Sequence, residues 1–256
     1  MKVIIKNIAI EYLDDGDGPI MLFLHGWKDN LHTFDSLIHI LSKQWRIIRV
    51  DLPGFGNSEL LQKVWNLDEY IQFVKDFIDK LNIKIDVLVG HSFGGRIAIK
   101  GVATKILNPK KLILIASAGI AKTHTIRNCF FYIFAKAGKL ITLIPPFIFW
   151  RKQLRRKLYN VAGSDYLKSG LLKNTFLNII KEDLSIWASK IIIPSLLIWG
   201  DQDTETPLND GKYLSKIIPH SQLQIIVNAN HFVHQENSQK VAELIQQFMN
   251  NELVNR

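Results

Sequence analysis

The stretch VLVGHSFGGRIA, residues 87–98, constrains the fold more than any other part of the chain. An apolar run ends at Gly90, and Gly94 and Gly95 follow within five residues. This Gly-x-Ser-x-Gly spacing is typical of a sharp turn that joins a buried strand to a helix. The residue at such a turn is strained, and side chains two positions away would collide with neighbouring elements, which glycine avoids. The stretch therefore predicts a strand, a turn at Ser92 and a helix.

Other apolar runs are short, rich in β-branched residues and bounded by Gly, Pro or Asp, which is typical of buried parallel strands. With the run before Gly90, they occupy residues 20–24, 46–50, 85–89, 112–116, 195–199 and 223–227. Helical patterns lie between them, and the clearest begin at Tyr70 and Val241. Asn66 and Glu69 predict a capped start for the first of these helices. The alternation predicts an α/β fold: a mostly parallel sheet with helices on both faces.

Almost eighty residues separate the strand that ends near Ala116 from the strand that begins near Ser195, which is far more than one crossover helix requires. We therefore expect a core domain formed by residues 1–118 and 191–256, with an inserted helical cap over residues 119–190. The apolar part of this cap is interrupted by two lysines and two prolines, so it is a poor membrane span.

The net charge of +9 is concentrated in the predicted cap. Residues 119–190 contain 13 Lys and Arg against 3 Asp and Glu, which leaves 19 against 20 in the rest of the chain. No nucleic-acid-binding module accompanies this charge, so we expect no nucleic-acid partner. Arg151, Lys152, Arg155 and Arg156 share one face of a predicted helix, and Lys157 extends the basic cluster, which is typical of a solvated surface. The alternative is a weak contact of this face with an anionic membrane surface or an anionic substrate.

Cys129 is the only cysteine, which excludes an internal disulfide and a multi-cysteine metal site. We expect it to be a buried structural thiol.

The first residues, MKVIIKNIAIEYLDDGDG, alternate like a strand and then turn acidic. They lack the long apolar stretch of a signal peptide, so a cytoplasmic location is expected.

A serine hydroxyl is a weak nucleophile at neutral pH and needs a histidine base and a carboxylate that orients the base. Candidates lie in GDQDTETP, residues 200–207, and NANHFVHQEN, residues 228–237, each directly after a predicted strand. The carboxyl ends of strands are where an open α/β sheet places its ligand site. The pentapeptide around Ser92 alone is also typical of a glycine-rich turn without chemistry, but the combination favours a catalytic serine.

Five ordered motifs resemble those of the α/β-hydrolase superfamily, and more closely those of its lidded, esterase-like members. They are LHGW at 24–27, DLPGFGNS at 51–58, GHSFGG at 90–95, WGDQDTETP at 199–207 and NANHFVHQEN at 228–237. The resemblance covers nearly the whole chain outside the insertion and implies the α/β-hydrolase fold. It implies that Ser92 is the nucleophile, His231 the general base and Asp203 the acid.

The resemblance also separates two neighbouring aspartates. In the family's Gly-x-x-Asp pattern the acid is the third residue after the glycine, which from Gly200 is Asp203. Asp201 is then a turn-forming residue. His220 and His234, the other histidines nearby, are expected to be surface or capping residues.

An oxyanion hole needs backbone N–H groups aimed at the developing charge. The resemblance assigns these donors to Trp27 and Phe93, and gives His25 a structural role in ordering the oxyanion loop. The side chain of Trp27 is expected either to line the pocket or to pack against the cap. Three glycines, Gly26, Gly90 and Gly94, are expected to be structural residues near the site.

The resemblance implies a serine hydrolase that cleaves carboxylic esters through an acyl-enzyme at Ser92. The expected substrate is a small-molecule ester or lactone with an apolar acyl part. The sequence has no metal-binding cluster and no nucleotide-binding loop, so the mechanism is expected to need no cofactor. Lactonase or carbon–carbon bond hydrolase activity uses the same triad and stays open, although Phe232 stands where meta-cleavage product hydrolases often have tryptophan. A non-catalytic small-molecule receptor and a membrane-surface protein are less favoured.

Overall fold

An eight-stranded sheet is the centre of the computed structural model, which describes residues 1–121 and 172–250. Its strands are β1 (Lys2–Ile5), β2 (Ile8–Asp15), β3 (Ile20–Leu24), β4 (Arg46–Val50), β5 (Val87–His91), β6 (Lys111–Ile115), β7 (Ser195–Gly200) and β8 (Ser221–Ile226). The strand order is β1-β2-β4-β3-β5-β6-β7-β8. The pairs β1–β2 and β2–β4 are antiparallel, and every other pair is parallel. The predicted mostly parallel sheet is confirmed.

The described helices lie between these strands or after the last of them. They are α1 (Asp35–Leu41), α2 (Leu67–Lys80), α3 (Phe93–Ala103), α4 (Lys173–Lys181), α5 (Ser185–Ala188), α6 (Leu208–Ile217), α7 (Val233–Glu236) and α8 (Ser238–Asn250), with a 3₁₀ turn over Leu31–Phe34. The predicted cap of α2 is confirmed: Glu69 N–H donates to Asn66 Oδ1, 3.0 Å, and Asn66 N–H donates to Glu69 Oε2, 2.8 Å. These two bonds satisfy donors that a helix start leaves without partners.

Helices cover both faces of the sheet, as predicted. One face packs its alternate strand residues, such as Phe23 and Val89, against the apolar stripes of α1 and α8. On the opposite face α3 and α6 approach the strands closely. A Cβ on Gly94 would lie 2.1 Å from the carbonyl oxygen of Leu24, and one on Gly211 would lie 2.7 Å from the Trp199 ring. The central strands are therefore buried between two helical layers, and their carboxyl ends are left for a site.

A strand is present near the predicted residues 223–227, but the prediction that it is buried is wrong. β8 is the last strand of the sheet, and Ile225 is 44% exposed. Val227, just after the strand, is also exposed. An edge strand has a neighbour on one side only, so apolar composition alone did not distinguish it from a central strand.

The chain divides into two compact units, Met1–Ile120 with Glu182–Arg256, and Ala121–Lys181. In the first unit Leu184 N–H donates to the carbonyl oxygen of Gly119, 2.8 Å, so the chain leaves and re-enters this unit at one point. Of the second unit, the structure describes Ala121 and residues 172–181, which contain α4.

Several predictions for the insertion therefore lie outside the described residues. They concern most of the cap at 119–190, the basic face at 151–157 and the burial of Cys129. These stay predictions. Among residues 1–121 and 172–250, no helix is long and apolar enough to cross a membrane.

Candidate active site

Ser92 lies at the predicted turn between β5 and α3. Its backbone has φ 49° and ψ −109°, a conformation that costs a residue with a side chain roughly 1–3 kcal/mol. A Cβ on Gly90 would lie 2.6 Å from the carbonyl oxygen of Gly94, so this position excludes any side chain. Ser92 N–H donates to Ile115 O, 3.2 Å, which ties the turn to β6. The sheet and α3 thus hold the serine in a strained conformation at the carboxyl end of the central strands.

Asp203 follows β7 and is buried within a set of hydrogen bonds. Its Oδ1 accepts the N–H groups of Glu205 and Thr206, each at 2.9 Å. Its Oδ2 accepts the hydroxyl of Thr206, 2.8 Å, and Nδ1–H of His231, 2.9 Å. Burial alone would raise the pKa of Asp203, but the bond and charge of His231 and the bonds from Thr206 together lower that pKa. Asp203 is therefore an anion at neutral pH.

The structure places the neighbouring aspartate, which we expect to be a turn-forming residue, differently. Asp201 is exposed, and its backbone N–H donates to Ile226 O, 3.1 Å. Between these two aspartates it is Asp203 that bonds to His231.

His231 lies in the loop between β8 and α7, and its side chain is 6% exposed. Because Nδ1 faces the carboxylate of Asp203, the hydrogen-bond partners assign the ring proton to Nδ1 and leave Nε2 as an acceptor. This is the tautomer that a general base for a serine requires. The His231 ring packs against His91, the residue before Ser92, with centroids 4.8 Å apart. The structure therefore brings the expected base, the expected acid and the turn of Ser92 into one place.

Thr206 is a site residue that sequence reasoning missed. Its hydroxyl lies 2.8 Å from Asp203 Oδ2 and 3.0 Å from the carbonyl oxygen of Ala116, and its own carbonyl accepts Nε1–H of Trp199, 2.8 Å. It joins the acid to β6 and β7. The sequence offered a weak signal for the turn alone, because an aspartate side chain commonly accepts a backbone N–H group two residues further on.

His25 is fully buried at the end of β3 and connects two loops. Its Nδ1–H donates to Gly26 O, 2.7 Å, and its Nε2 accepts the N–H of Leu52, 2.9 Å. Burial is the main cause that lowers the pKa of His25, so the ring stays neutral. Its carbonyl oxygen accepts Gly94 N–H, 3.0 Å. These contacts suit the ordering role that we expect for His25.

The DLPGFGNS loop is ordered by its first residue. The buried carboxylate of Asp51 accepts N–H groups from Leu31 and Asn57, each at 2.7 Å. Gly56 has φ +54°, and a Cβ there would lie 2.0 Å from Asp51 Oδ2. Phe55 on the same loop packs against the Trp27 ring, with centroids 4.8 Å apart. The loop therefore supports the segment expected to form the oxyanion hole.

The two expected oxyanion donors lie on segments that meet at Ser92. Phe93 is the first residue of α3, where backbone N–H groups lack intrahelical partners and the helix dipole favours an anion. A Cβ on Gly26, the residue before Trp27, would lie 3.4 Å from Ser92 Cβ. The rings of Trp27 and Phe93 pack edge to face, 5.2 Å apart. The Trp27 indole thus packs on Phe93 and the DLPGFGNS loop.

The expectation that His234 is a surface or capping residue is wrong, because its side chain is completely buried. Its Nε2 shares a hydrogen bond with Thr33 Oγ1, 3.1 Å, and its ring lies 4.4 Å from that of His91. His91 Nε2–H in turn donates to the carbonyl oxygen of His231, 3.1 Å. Burial lowers the pKa of both rings, that of His234 to about 3, so this pair is a neutral support behind His231. His220 is exposed, as expected.

Within the two described ranges, no group of three or more His, Cys, Asp or Glu side chains could hold a metal ion. The chemistry available from the described side chains at this site is that of a serine beside a histidine–carboxylate pair.

Comparisons with known proteins show similarity in sequence and in fold. The chain is 30% identical to the AB hydrolase superfamily protein YisY of Bacillus subtilis (strain 168), over 96% of this chain and 97% of that protein. It is 26% identical to the monoacylglycerol lipase ABHD6 of Homo sapiens, over 91% of this chain and 76% of that protein. In fold it resembles the solved structure of Est816, described as an N-acyl homoserine lactone degrading enzyme. The TM-score is 0.74 at 21% identity, covering 97% of this chain and all of that one.

The alpha/beta hydrolase family matches residues 21–244, which span the sheet from β3 to β8 and every residue of the candidate site. With the serine turn, the histidine–aspartate pair and the sheet topology described above, this match identifies the chain as a member of the alpha/beta hydrolase family.

Proposed function

We propose that this chain is a serine hydrolase that cleaves carboxylic esters through an acyl-enzyme at Ser92. The observation that carries the proposal is the Asp203–His231 hydrogen bond of 2.9 Å beside the strained turn of Ser92. His231 Nε2 takes the hydroxyl proton as Ser92 Oγ attacks the acyl carbon. The same nitrogen then gives that proton to the departing alcohol. In the second half of the cycle His231 deprotonates water, which releases the acid and restores the serine.

The proposal gives Asp203 an electrostatic role. His231 becomes a cation when it holds the serine proton, and the buried anion beside Nδ1 stabilises that cation. Two backbone N–H groups and the Thr206 hydroxyl keep the carboxylate ionised and oriented before substrate binds. The N–H groups of Trp27 and Phe93 are proposed to stabilise the oxyanion, and no cofactor takes part.

The proposed substrate is a small-molecule ester with an apolar acyl part. The name of the lipase ABHD6 among the relatives supports this class. Hydrolysis of a lactone, a cyclic ester, is the second candidate, and the name of the Est816 neighbour favours it. Carbon–carbon bond hydrolysis remains an alternative within the same triad.

We also propose that residues 119–190 form a cap and that the protein is cytoplasmic. The bond between Leu184 and Gly119 supports an insertion at that point.

The test is a panel of 4-nitrophenyl esters of graded acyl length, together with lactones, measured with the wild type and with Ser92→Ala. We expect Ser92→Ala to lower kcat by roughly four to six orders of magnitude, because triad members act as a unit. Ser189→Ala, which changes an exposed serine, is the matched control and should leave the rates unchanged.

A fluorophosphonate should label Ser92 in the wild type and nothing in the Ser92→Ala variant. Labelling at Cys129, or full turnover without the Ser92 hydroxyl, would contradict the proposed nucleophile.

A further inference from the structure

Glu205 lies beside the catalytic base on the side away from Asp203. Its Oε2 is 3.7 Å from His231 Nε2, whereas Asp203 Oδ2 is 2.9 Å from His231 Nδ1. The two ring nitrogens therefore each face a carboxylate. The Asp203 side chain is fully buried, while that of Glu205 is 60% exposed. The sequence motifs assign no role to Glu205.

The position of Glu205 follows from the turn that holds the acid. Its backbone N–H and that of Thr206 both donate to Asp203 Oδ1, 2.9 Å each. Thr206 is anchored in turn by Nε1–H of Trp199, 2.8 Å from its carbonyl oxygen. The backbone of Glu205 is thus tied to Asp203. Rotation of the Glu205 side chain about its own torsions is enough to bring its carboxylate beside His231 Nε2.

The distance of 3.7 Å is within ion-pair range but too long for a direct hydrogen bond. Glu205 therefore leaves the Nε2 lone pair available to Ser92. In the proposed mechanism Nε2 is the atom that delivers the proton to the departing alcohol. The Glu205 carboxylate then lies on the alcohol side of a bound ester. A negative charge there repels an anionic alcohol group and attracts a cationic one.

We propose that Glu205 is a specificity-determining residue that makes this site prefer esters with neutral or cationic alcohol groups over esters with anionic ones. The inference rests on the proposed ester hydrolysis. At long range the net charge of +9 would attract anionic esters. The preference assigned to Glu205, which disfavours anionic esters at the site, is the opposite.

The experiment uses three esters that share the butyryl group and differ in the charge of the leaving group. They are 4-nitrophenyl butyrate, 3-carboxy-4-nitrophenyl butyrate and butyrylcholine, which are neutral, anionic and cationic. We measure kcat/KM for each with the full-length wild type and with Glu205→Gln. The anionic-to-neutral ratio should rise about three- to fivefold in Glu205→Gln, and the cationic-to-neutral ratio should fall by a similar factor.

Charge reversal and salt sharpen the test. Glu205→Lys should move both ratios further in the same directions, by about tenfold or more from the wild type. The differences should shrink at 1 M salt, where the screening length is about 3 Å. Glu243→Gln, which removes a half-exposed carboxylate from α8, is the matched control and should leave both ratios unchanged.

The outcomes separate this inference from the proposed function. If the wild type hydrolyses none of the three esters, the proposed ester hydrolysis fails and the inference fails with it. If the wild type hydrolyses the neutral ester but Glu205→Gln and Glu205→Lys leave both ratios unchanged, the inference alone is overturned.

Discussion

The candidate site has an acid–base side, which is formed by side-chain contacts, and an oxyanion side, which is formed by ordered backbone. On the acid–base side, Asp203, Thr206 and His231 place side-chain atoms in direct contact. On the oxyanion side, His25 and Asp51 bond to backbone groups and order the loops around Trp27. The first side therefore depends on the identity of side chains, and the second depends on the path of the backbone. A substitution that keeps the shape of a side chain but removes its charge or hydroxyl should impair the acid–base side. A substitution that changes a side chain but keeps its backbone N–H should leave the oxyanion side largely intact.

The largest effect expected in this comparison tests the acid–base side with a change that preserves shape. Asp203→Asn removes the charge and permits the wrong tautomer of His231, and should lower kcat by about four orders of magnitude. Asp201→Asn is the matched control and should cost little, because Asp201 is exposed and does not contact the base. The kcat for ester hydrolysis, measured with each purified variant, decides which of the two aspartates is the acid. A reversal of the two effects would show that the acid is misassigned.

The next effect tests the oxyanion side through the backbone. Trp27→Pro removes the proposed N–H donor and should cost about 3 kcal/mol of transition-state stabilisation, separately from any loss of folding. Trp27→Ala keeps the donor and removes the ring that packs on Phe55 and Phe93, so it should chiefly change substrate preference. Kinetics and circular dichroism check both variants. Equal rates for two folded variants would mean that the backbone donor is not at Trp27.

A smaller effect concerns Thr206. Thr206→Val keeps the shape but removes the hydroxyl 2.8 Å from Asp203 Oδ2, and should lower kcat about tenfold. Thr206→Ser keeps the hydroxyl and should retain most of the activity. The kcat values of the two variants provide the measurement. If Thr206→Ser is as slow as Thr206→Val, the methyl packing of this residue matters rather than its bond to the acid.

A further effect appears in stability rather than in rate. Burial lowers the pKa of His234 to about 3 from an ordinary value of 6.5. Between these values the unfolded chain binds a proton that the folded chain does not, so stability falls as the pH drops below 6.5. The loss is about 1.4 kcal/mol per pH unit from this group.

Urea unfolding at pH 7.5 and pH 5 measures that loss. His234→Leu should lower the difference in unfolding free energy between the two pH values by about 2 kcal/mol. His220→Leu changes an exposed histidine and should leave the difference as it is in the wild type. A difference that His234→Leu does not alter would show that His234 does not cause the acid sensitivity.

Some features of this protein follow from the sequence because their causes are local. The turn at Ser92 was predictable from two glycines and an apolar run, and the cap of α2 from Asn66 and Glu69. Steric exclusion and backbone hydrogen bonding act over a few residues, so a short pattern suffices to indicate them. The choice of Asp203 over Asp201 came from the resemblance to a family.

Other features required the tertiary structure. His234 reads as a surface residue in sequence, but it bonds to Thr33, 201 positions away. The bond from His91 to the carbonyl oxygen of His231 spans 140 positions. Glu205 was one exposed acid among many until the fold set its carboxylate beside His231. Local propensity determined where the strands, the turn and the helices lie. Only the packing of distant segments decided which polar groups share a buried space, because that space is created when the sheet and its helices assemble.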